Sequence, residues 1–374
     1  MNFDFSDDQK LLKEQVRKFL ADKCPTKVVR RVLDGNEAFA DEVWKGLVEL
    51  GVPATGIPEA YGGLGLSPLE LCVIAEEIGR AAAPVPFDSS VILATEAVKL
   101  AGSEAQKKKW LSELAEGKAI GTLAITEGSQ PPRPRNIRTT FGGGKLNGRK
   151  VPVIDGDAAT FAIVLANTGG QGDRAVSLVL VDLAQTSVKK RRVETIDPAR
   201  KHAELSFDGA SAELLGAEGE GWRLLERLYD AAAIYFAFAQ VGGAEAAMWM
   251  ARDYALQRQA FGRAIGSYQA IKHKLADCYV KLELARSNAY YGAMMLTDGG
   301  ADLPLAAAAA RIAATEAYDF ASKENIQTHG GIGFTWEADT QFHYRRARVM
   351  ALSLGGPMAW KDKLVTRLEQ KNAA

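Results

Sequence analysis

Asn325-Ile-Gln-Thr-His-Gly-Gly-Ile-Gly-Phe-Thr-Trp-Glu337 decides how this chain reads. A long Ala-rich helical pattern runs into it, and three glycines then stand at 330, 331 and 333. Glycine accepts backbone angles closed to other residues and lets the main chain approach a ligand closely. Exposed N–H groups in such a turn attract phosphate, and Gln327, one helical turn before Gly330, is placed to offer its amide to a cofactor. The same glycines would also serve a plain helix cap. A second stretch bears on the choice: Arg258-Gln-Ala-Phe-Gly-Arg-Ala-Ile-Gly-Ser-Tyr-Gln269. Arg258 offers a planar fork of donors suited to a pyrophosphate. Its other reading is a solvated cation near the C-terminal dipole of a helix.

Around these stretches the pattern is helical. Segments 223–258, 267–297 and 303–329 carry Ala and Leu at helical spacing, and Phe261-Gly262 marks the end of the first. Three or four long antiparallel helices with short links imply a bundle. The run Ala306–Ala310 reads as close helix packing. Residues 1–118 are also expected to be helical. Ser6 and Gln9 form a capping-box pattern, Asp41 precedes an amphipathic run that Gly51 stops, Ser67-Pro68-Leu69-Glu70 is a helix start, and Ser103 to Gln106 opens another helix. Between about 119 and 215 the texture changes. The runs 121–126, 160–166, 175–181 and 202–207 read as strands, with turns at Gly142–Gly144 and Gly169–Gly172. Such runs suit a small barrel or sandwich. The expected fold is α+β: a helical domain over 1–118, a β domain over 119–220 and a helical bundle over 221–374.

Lys+Arg and Asp+Glu both number 46, so no global basic field points to nucleic acid or an anionic membrane. Hydrophobic residues at 47% and charged ones at 25% fit a globular chain with a sizeable core. Cys24, Cys72 and Cys278 lie far apart, in neither a metal-ligand spacing nor a disulfide framework. The acidic start lacks signal- or transit-peptide features, and no uncharged apolar run is long enough to span a bilayer. These features predict a cytoplasmic protein with no metal, membrane or nucleic-acid partner.

With Arg258-x-x-Phe261-Gly262 and Gln327-x-x-Gly330-Gly331-x-Gly333, the chain resembles the acyl-CoA dehydrogenase family. Gly56-Ile-Pro-Glu-Ala-Tyr-Gly-Gly-Leu-Gly65, Ala124-Ile-Thr-Glu127 and Leu146-Asn-Gly-Arg-Lys150 extend the likeness along almost the whole chain. The resemblance implies FAD as cofactor, a three-domain fold, an oligomer, and α,β-dehydrogenation of an acyl-CoA thioester in fatty acid or lipid catabolism. It also implies cofactor contacts at Arg258, Phe261, Gln269, Gln327, Gly330, Gly331, Gly333 and Thr126.

The departures from that pattern are as informative. The family reaction needs a base for the α-proton, a flavin to accept the β-hydride and hydrogen bonds to the thioester oxygen. The usual base position, nine residues after Arg345, holds Leu354, and the minority position holds Ala232 with Ala233 beside it. No catalytic residue is therefore assigned. The family's Thr-Glu-x-x-x-Gly-Ser-Asp reads Thr126-Glu-Gly-Ser-Gln-Pro-Pro-Arg133, and proline has no N–H to donate. The aromatic residue that packs on the flavin ring is missing from Gly148-Arg-Lys-Val-Pro-Val153. His273 and His329 read as polar or packing residues, and Glu337 with Asp339 as a helix start.

In the family, the flavin ring and base belong to one subunit, and the two preserved stretches reach in from its dimer partner. This chain resembles one that has lost its own half of a site and kept the half it lends. The leading expectation is a flavin-sharing subunit that works with a second acyl-CoA dehydrogenase chain, in a tetramer. The opening Met1–Gln9 resembles the small subunit of the two-subunit pimeloyl-CoA enzyme. Two other readings stay open: a homomeric enzyme with an atypical base, drawn from Tyr229, Asp230 and Tyr235 or from a substrate carboxylate or water, and a non-catalytic structural subunit.

Overall fold

The structure, a computed structural model, describes residues 5–373. Residues 1–4 of the opening compared above thus lie outside the described ones. The chain forms two compact units. One comprises residues up to 31, 68–83 and 233 onward; the other comprises 32–67 and 84–232.

The helices of the N-terminal region are α1 (Asp7–Lys23), α2 (Thr26–Asp34), α3 (Asp41–Glu49), α4 (Pro68–Arg80) and α5 (Thr95–Ala101). Two short helices follow, α6 (Glu104–Gln106) and α7 (Ser112–Ala115). The capping box read at Ser6 forms, and Ser103, read only as a helix start, makes one too: each hydroxyl accepts from the backbone three residues on, and the glutamine returns the bond. Phe87–Ala94 and Lys107–Leu111 wind as π-helix, which no local sequence signal announced.

The β-rich unit contains β1 (Gly121–Ala124), β2 (Thr140–Gly142), β3 (Lys145–Ile154), β4 (Phe161–Asn167), β5 (Val176–Asp182), β6 (Val188–Val193) and β7 (His202–Leu215). Strand pairing runs β4-β2-β3-β7-β5 and returns to β4, so the sheet closes on itself as a small barrel. The seam is narrow, since β2 meets β4 only at Thr140 and Asn167. Leu146, Val153, Val164, Val179, Leu205 and Phe207 fill the barrel core. β1 flanks β4 in parallel, and β6 lies on β7. In the same unit Arg200, fully buried, donates to Asp88 at 2.8 Å and to Asp155 at 2.9 Å. Two carboxylates around one guanidinium satisfy a charge that burial alone would make costly.

The helical unit holds most of α8 (Gly221–Gln257). This helix leads into a two-residue-per-strand hairpin of β8 (Gln259–Ala260) and β9 (Arg263–Ala264). Then come α9 (Gln269–Asp298), α10 (Leu303–His329), α11 (Thr340–Leu352) and α12 (Pro357–Ala373). α4 and α8 touch backbone to backbone. A Cβ at Gly79 would stand 1.9 Å from the Ala239 carbonyl oxygen, and one at Gly242 1.9 Å from that of Glu76. Ala306, Ala307, Ala308 and Ala310 are buried, as the alanine run predicts. An ion network joins α1, α4, α8 and α9. Arg17 grips Glu77 with two bonds of 2.8 and 2.9 Å, and Arg80 and Arg286 both reach Glu76 and Glu245. Burial pushes the Glu245 carboxyl up, but the two arginines outweigh it and hold the group down to about 2.

Among the described residues no helix is long and apolar enough to cross a membrane, and no cluster of His, Cys, Asp or Glu gathers as a metal site.

Candidate cofactor-binding site

α8 ends at Gln257, and Arg258 follows with its N–H on the Tyr254 carbonyl and its own carbonyl accepting from Ile265. Its side chain is exposed, and among the described residues nothing pairs with its guanidinium. The β8–β9 hairpin turns on Phe261 (φ 52°) and Gly262 (φ 80°). Positive φ at both central residues is the turn type that fits a two-residue hairpin, and it normally selects Asn-Gly. A phenylalanine in that conformation is strained. The hairpin is braced from below: Tyr268 Oη donates to the Ala260 carbonyl at 3.1 Å, and the Arg263 guanidinium lies 3.9 Å from the Tyr268 ring centroid. Phe261 gains no burial from this and stands 95% exposed. Gln269, the first residue of α9, is exposed, as is His273 one turn on.

The glycine-rich stretch lies beside this hairpin's root. His329, near the end of α10, stacks on Tyr254 with ring centroids 4.1 Å apart. Its Nδ1 donates to the Asn325 carbonyl at 2.8 Å, so His329 is a structural residue. Gly330, at φ 65° and ψ −141°, closes α10 with its N–H on the Gln327 and Ile326 carbonyls. The stretch is therefore a helix cap, with the Gly330 N–H spent on it, and space beside the turn stays open. A Cβ at Gly330 or Gly331 would meet nothing within 4 Å, which leaves the backbone accessible. Gly333 differs. It is buried, and a Cβ there would stand 2.5 Å from the Ile326 carbonyl oxygen, so packing demands that glycine. Gln327 is exposed one turn back. Ile332 and Phe334 are 55% and 75% exposed. Asp339 occupies the position before α11, but its carboxylate makes no cap; it accepts from Arg30 at 2.7 Å instead.

The base positions are apolar and closed. Leu354 is 2% exposed, with its carbonyl accepting from Trp360 Nε1 at 3.1 Å. Ala232 and Ala233 are fully buried. Tyr235 and Asp230 are buried as well, and burial pushes the Tyr229 phenol well above its ordinary value, so no phenolate is available there near neutrality.

Thr126 belongs to the β-rich unit. Its hydroxyl donates to the Pro152 carbonyl at 3.0 Å, and its carbonyl accepts from Val151. Beside it, Glu127 accepts from the backbone of Arg138 and Thr139 and from Lys150 Nζ at 2.7 Å. The Ala124–Glu127 and Leu146–Lys150 motifs thus meet in one buried ion pair. Burial brings the Lys150 ammonium down to about 8 against the pull of Glu127. In the altered loop, Pro131 and Arg133 are tied locally by Asn136.

The chemistry of the donor set can be tested against FAD. The unpaired cation Arg258, the open backbone at Gly330 and Gly331, the amide of Gln327 and the protruding Phe261 fit the anionic and flat parts of a dinucleotide. The ring contacts that the resemblance implies fit poorly, for the Thr126 hydroxyl is spent on the Pro152 carbonyl of β3 and the prolines offer no N–H. Sequence reasoning missed two residues that organise this face, Tyr254 and Arg30. Tyr254 could have been found one turn ahead of Arg258; nothing local marks Arg30.

In chain order the fold runs helices, small barrel, helical bundle, and the bundle presents an exposed arginine beside an open glycine-rich turn. The acyl-CoA dehydrogenase N-terminal domain profile matches residues 6–118, and the C-terminal domain profile matches 219–357. The chain belongs to the acyl-CoA dehydrogenase family, a family of flavin-dependent acyl-CoA oxidoreductases. It is 31% identical to acyl-CoA dehydrogenase IpdE2 of Mycobacterium tuberculosis over 366 residues, 98% of this chain and 97% of that one. Butyryl-CoA dehydrogenase from Megasphaera elsdenii superposes with a TM-score of 0.90 at 25% identity, covering 98% and 100% of the two chains. The Tcur3481-Tcur3483 steroid ACAD superposes with a TM-score of 0.88 at 26% identity, covering 98% and 99%.

Proposed function

We propose that this chain is the flavin-sharing subunit of a two-chain acyl-CoA dehydrogenase. In this reading its C-terminal bundle completes a site whose flavin-ring contacts and catalytic glutamate belong to a partner chain. The observation that carries the reading is a contrast within one structure. Both family base positions hold buried apolar residues, Leu354 and Ala232, whereas Arg258, Phe261, Gln327 and Gly331 stand exposed. A carboxylate absent from both positions leaves the α-proton without the family's usual acceptor on this chain. FAD bound in the completed site supplies the hydride acceptor. Arg258 then holds the pyrophosphate, Gln327 and the Gly330–Gly331 backbone orient the nucleotide end, and Phe261 covers it from water.

The likeness to the Tcur3481-Tcur3483 steroid ACAD supports a pair of chains and a bulky, steroid-derived acyl group. The assembly is a cytoplasmic tetramer with three domains per chain, at 1–118, 119–220 and 221–374.

The test is to purify the full chain alone and together with a glutamate-bearing acyl-CoA dehydrogenase chain, then record the flavin spectrum and its anaerobic bleaching by an acyl-CoA panel. The expected result is flavin retention and bleaching in the mixture only. A lone chain that is fully flavinated and bleaches rapidly would replace this reading with a homomeric enzyme that uses an atypical base.

A further inference from the structure

The turn that carries the open glycines is fixed from outside its own helix. Arg30, on α2, donates through Nη1 to the Trp336 carbonyl at 2.6 Å. Through Nη2 it reaches the Glu337 carbonyl at 2.9 Å and Asp339 Oδ1 at 2.7 Å. Its guanidinium also lies 5.0 Å from the centroid of the Phe342 ring. Gln341 Nε2 donates to the same Trp336 carbonyl, and Arg345 joins Gln341 to the Trp336 ring.

The turn also has local ties: Gly330–Phe334 winds as a 3-10 helix, and the Thr335 and Thr340 hydroxyls donate to the Ile332 and Gly333 carbonyls at 2.9 Å each. Its own backbone supplies Thr335 N–H to the Ile332 carbonyl at 3.0 Å and Ala338 N–H to the Thr335 carbonyl at 3.4 Å. Ile332 and Phe334 are largely exposed, so burial does not anchor them. The entry through Gly330 and Gly331 is conformationally permissive. At the exit, over residues 336–339, one planar fork from another helix reads two carbonyls and a carboxylate at once. A guanidinium does this with fixed geometry; an ammonium is a single point charge and does not.

We propose that Arg30 is a positioning residue for the cofactor face, clamping residues 336–339 so that the Gly330–Phe334 turn presents its backbone in one orientation. The role in cofactor binding rests on the flavin-sharing reading above; the clamp itself does not.

The experiment compares wild type, Arg30→Lys and Arg30→Ala as full chains by amide hydrogen exchange. It then measures FAD affinity after assembly with the glutamate-bearing chain, with Arg258→Ala alongside. In Arg30→Ala the Thr335 and Ala338 amides should exchange about tenfold faster while the middles of α8 and α10 are unchanged, and FAD should bind about tenfold more weakly with kcat at saturating FAD preserved. Arg30→Lys should fall between, and it carries the comparison if Arg30→Ala does not fold. Unchanged exchange at 335 and 338 overturns the clamp whatever the protein's function. Faster exchange with unaltered FAD affinity, while Arg258→Ala weakens it, makes Arg30 merely structural and leaves the flavin-sharing reading standing. Unaltered affinity in both variants overturns the flavin-sharing reading as well.

Discussion

The ring of His329 lies on that of Tyr254, centroids 4.1 Å apart and planes 25° from parallel. With the Asn325 Nδ2–Met250 Sδ contact at 3.3 Å, this stack ties the helix that ends at the glycine-rich turn to the helix that leads into Arg258, so two motifs 69 residues apart lie side by side. Offset aromatic stacking contributes about 0.5–1.5 kcal/mol beyond area burial. A double-mutant cycle of Tyr254→Leu and His329→Leu, read by urea denaturation, should give a coupling of about 1 kcal/mol. Strict additivity would mean the rings are neighbours without being partners.

Arg258→Ala in the assembled enzyme should weaken FAD retention roughly ten- to a hundredfold, since a hydrogen bond to a charged group is worth about 1.5–3 kcal/mol. Equilibrium dialysis of FAD checks it. The stability of the lone chain should not change, because no group among the described residues pairs with that guanidinium. Unchanged flavin occupancy would assign Arg258 to the role of a solvated helix-end cation.

Phe261→Asn should move stability and cofactor binding in opposite directions. Asparagine tolerates the left-handed conformation that Phe261 adopts at φ 52°. The substitution should therefore relieve roughly 1 kcal/mol of strain, seen as a higher urea midpoint for the lone chain. On the flavin-sharing reading FAD affinity in the assembly should fall, because the variant loses the exposed ring that would cover the cofactor. Tighter FAD binding in the variant would contradict a cofactor role for the ring.

Much of the fold was legible because local signals agreed with burial. The long helices begin and end within two residues of the expected limits, helped by Gly299 in the left-handed region after α9 and by Pro304 at the start of α10. β6 was not legible: Val188-Lys-Lys-Arg-Arg-Val193 exposes its four cations and pairs on one side only, so no hydrophobic alternation betrays it. β3 was hidden by Asn147 and Gly148, where its pairing with β7 shifts register. α2 and the π-helical Phe87–Ala94 carry no boundary signal, the latter being buried throughout. At the site, each motif could be read but their proximity could not, because it depends on long-range packing such as the Tyr254–His329 stack. Arg30 was invisible for the same reason: its partners are carbonyls some three hundred residues away, and a carbonyl has no sequence identity.

Lys150 should leave a pH signature on stability. Burial lowers its folded pKa to about 8, below the 10.5 of an unperturbed lysine, so between these values the unfolded chain binds the extra proton. Its contribution to stability is therefore greatest above 10.5 and is lost as the pH falls toward 8. The stability of wild type relative to Lys150→Met, measured by urea denaturation at pH 7.5, 9 and 10, should rise with pH. A flat difference would show that Lys150 keeps an ordinary pKa in the folded state.

Restoring the missing base should not restore the enzyme. If the absent glutamate were the only defect, Leu354→Glu would recover a large part of the 10²–10⁴-fold that a positioned general base typically contributes, by order of magnitude. Three features argue against that outcome. Leu354 is 2% exposed, so a carboxylate there starts in an apolar setting that raises its pKa and destabilises the fold. The Thr126 hydroxyl is engaged with the Pro152 carbonyl at 3.0 Å and is not free to meet a flavin. Pro131 and Pro132 stand where the family offers N–H donors, and Val151-Pro152-Val153 offers no aromatic to pack on the ring. On the flavin-sharing reading, the base and the ring contacts are thus separate losses on this chain, and a restored carboxylate repairs only one of them. Leu354→Glu in the lone chain should show no bleaching of flavin by acyl-CoA under anaerobic conditions and a lower melting temperature than wild type. Bleaching accelerated about a hundredfold would mean that the lone chain holds a flavin ring after all, and the flavin-sharing reading would fall with it.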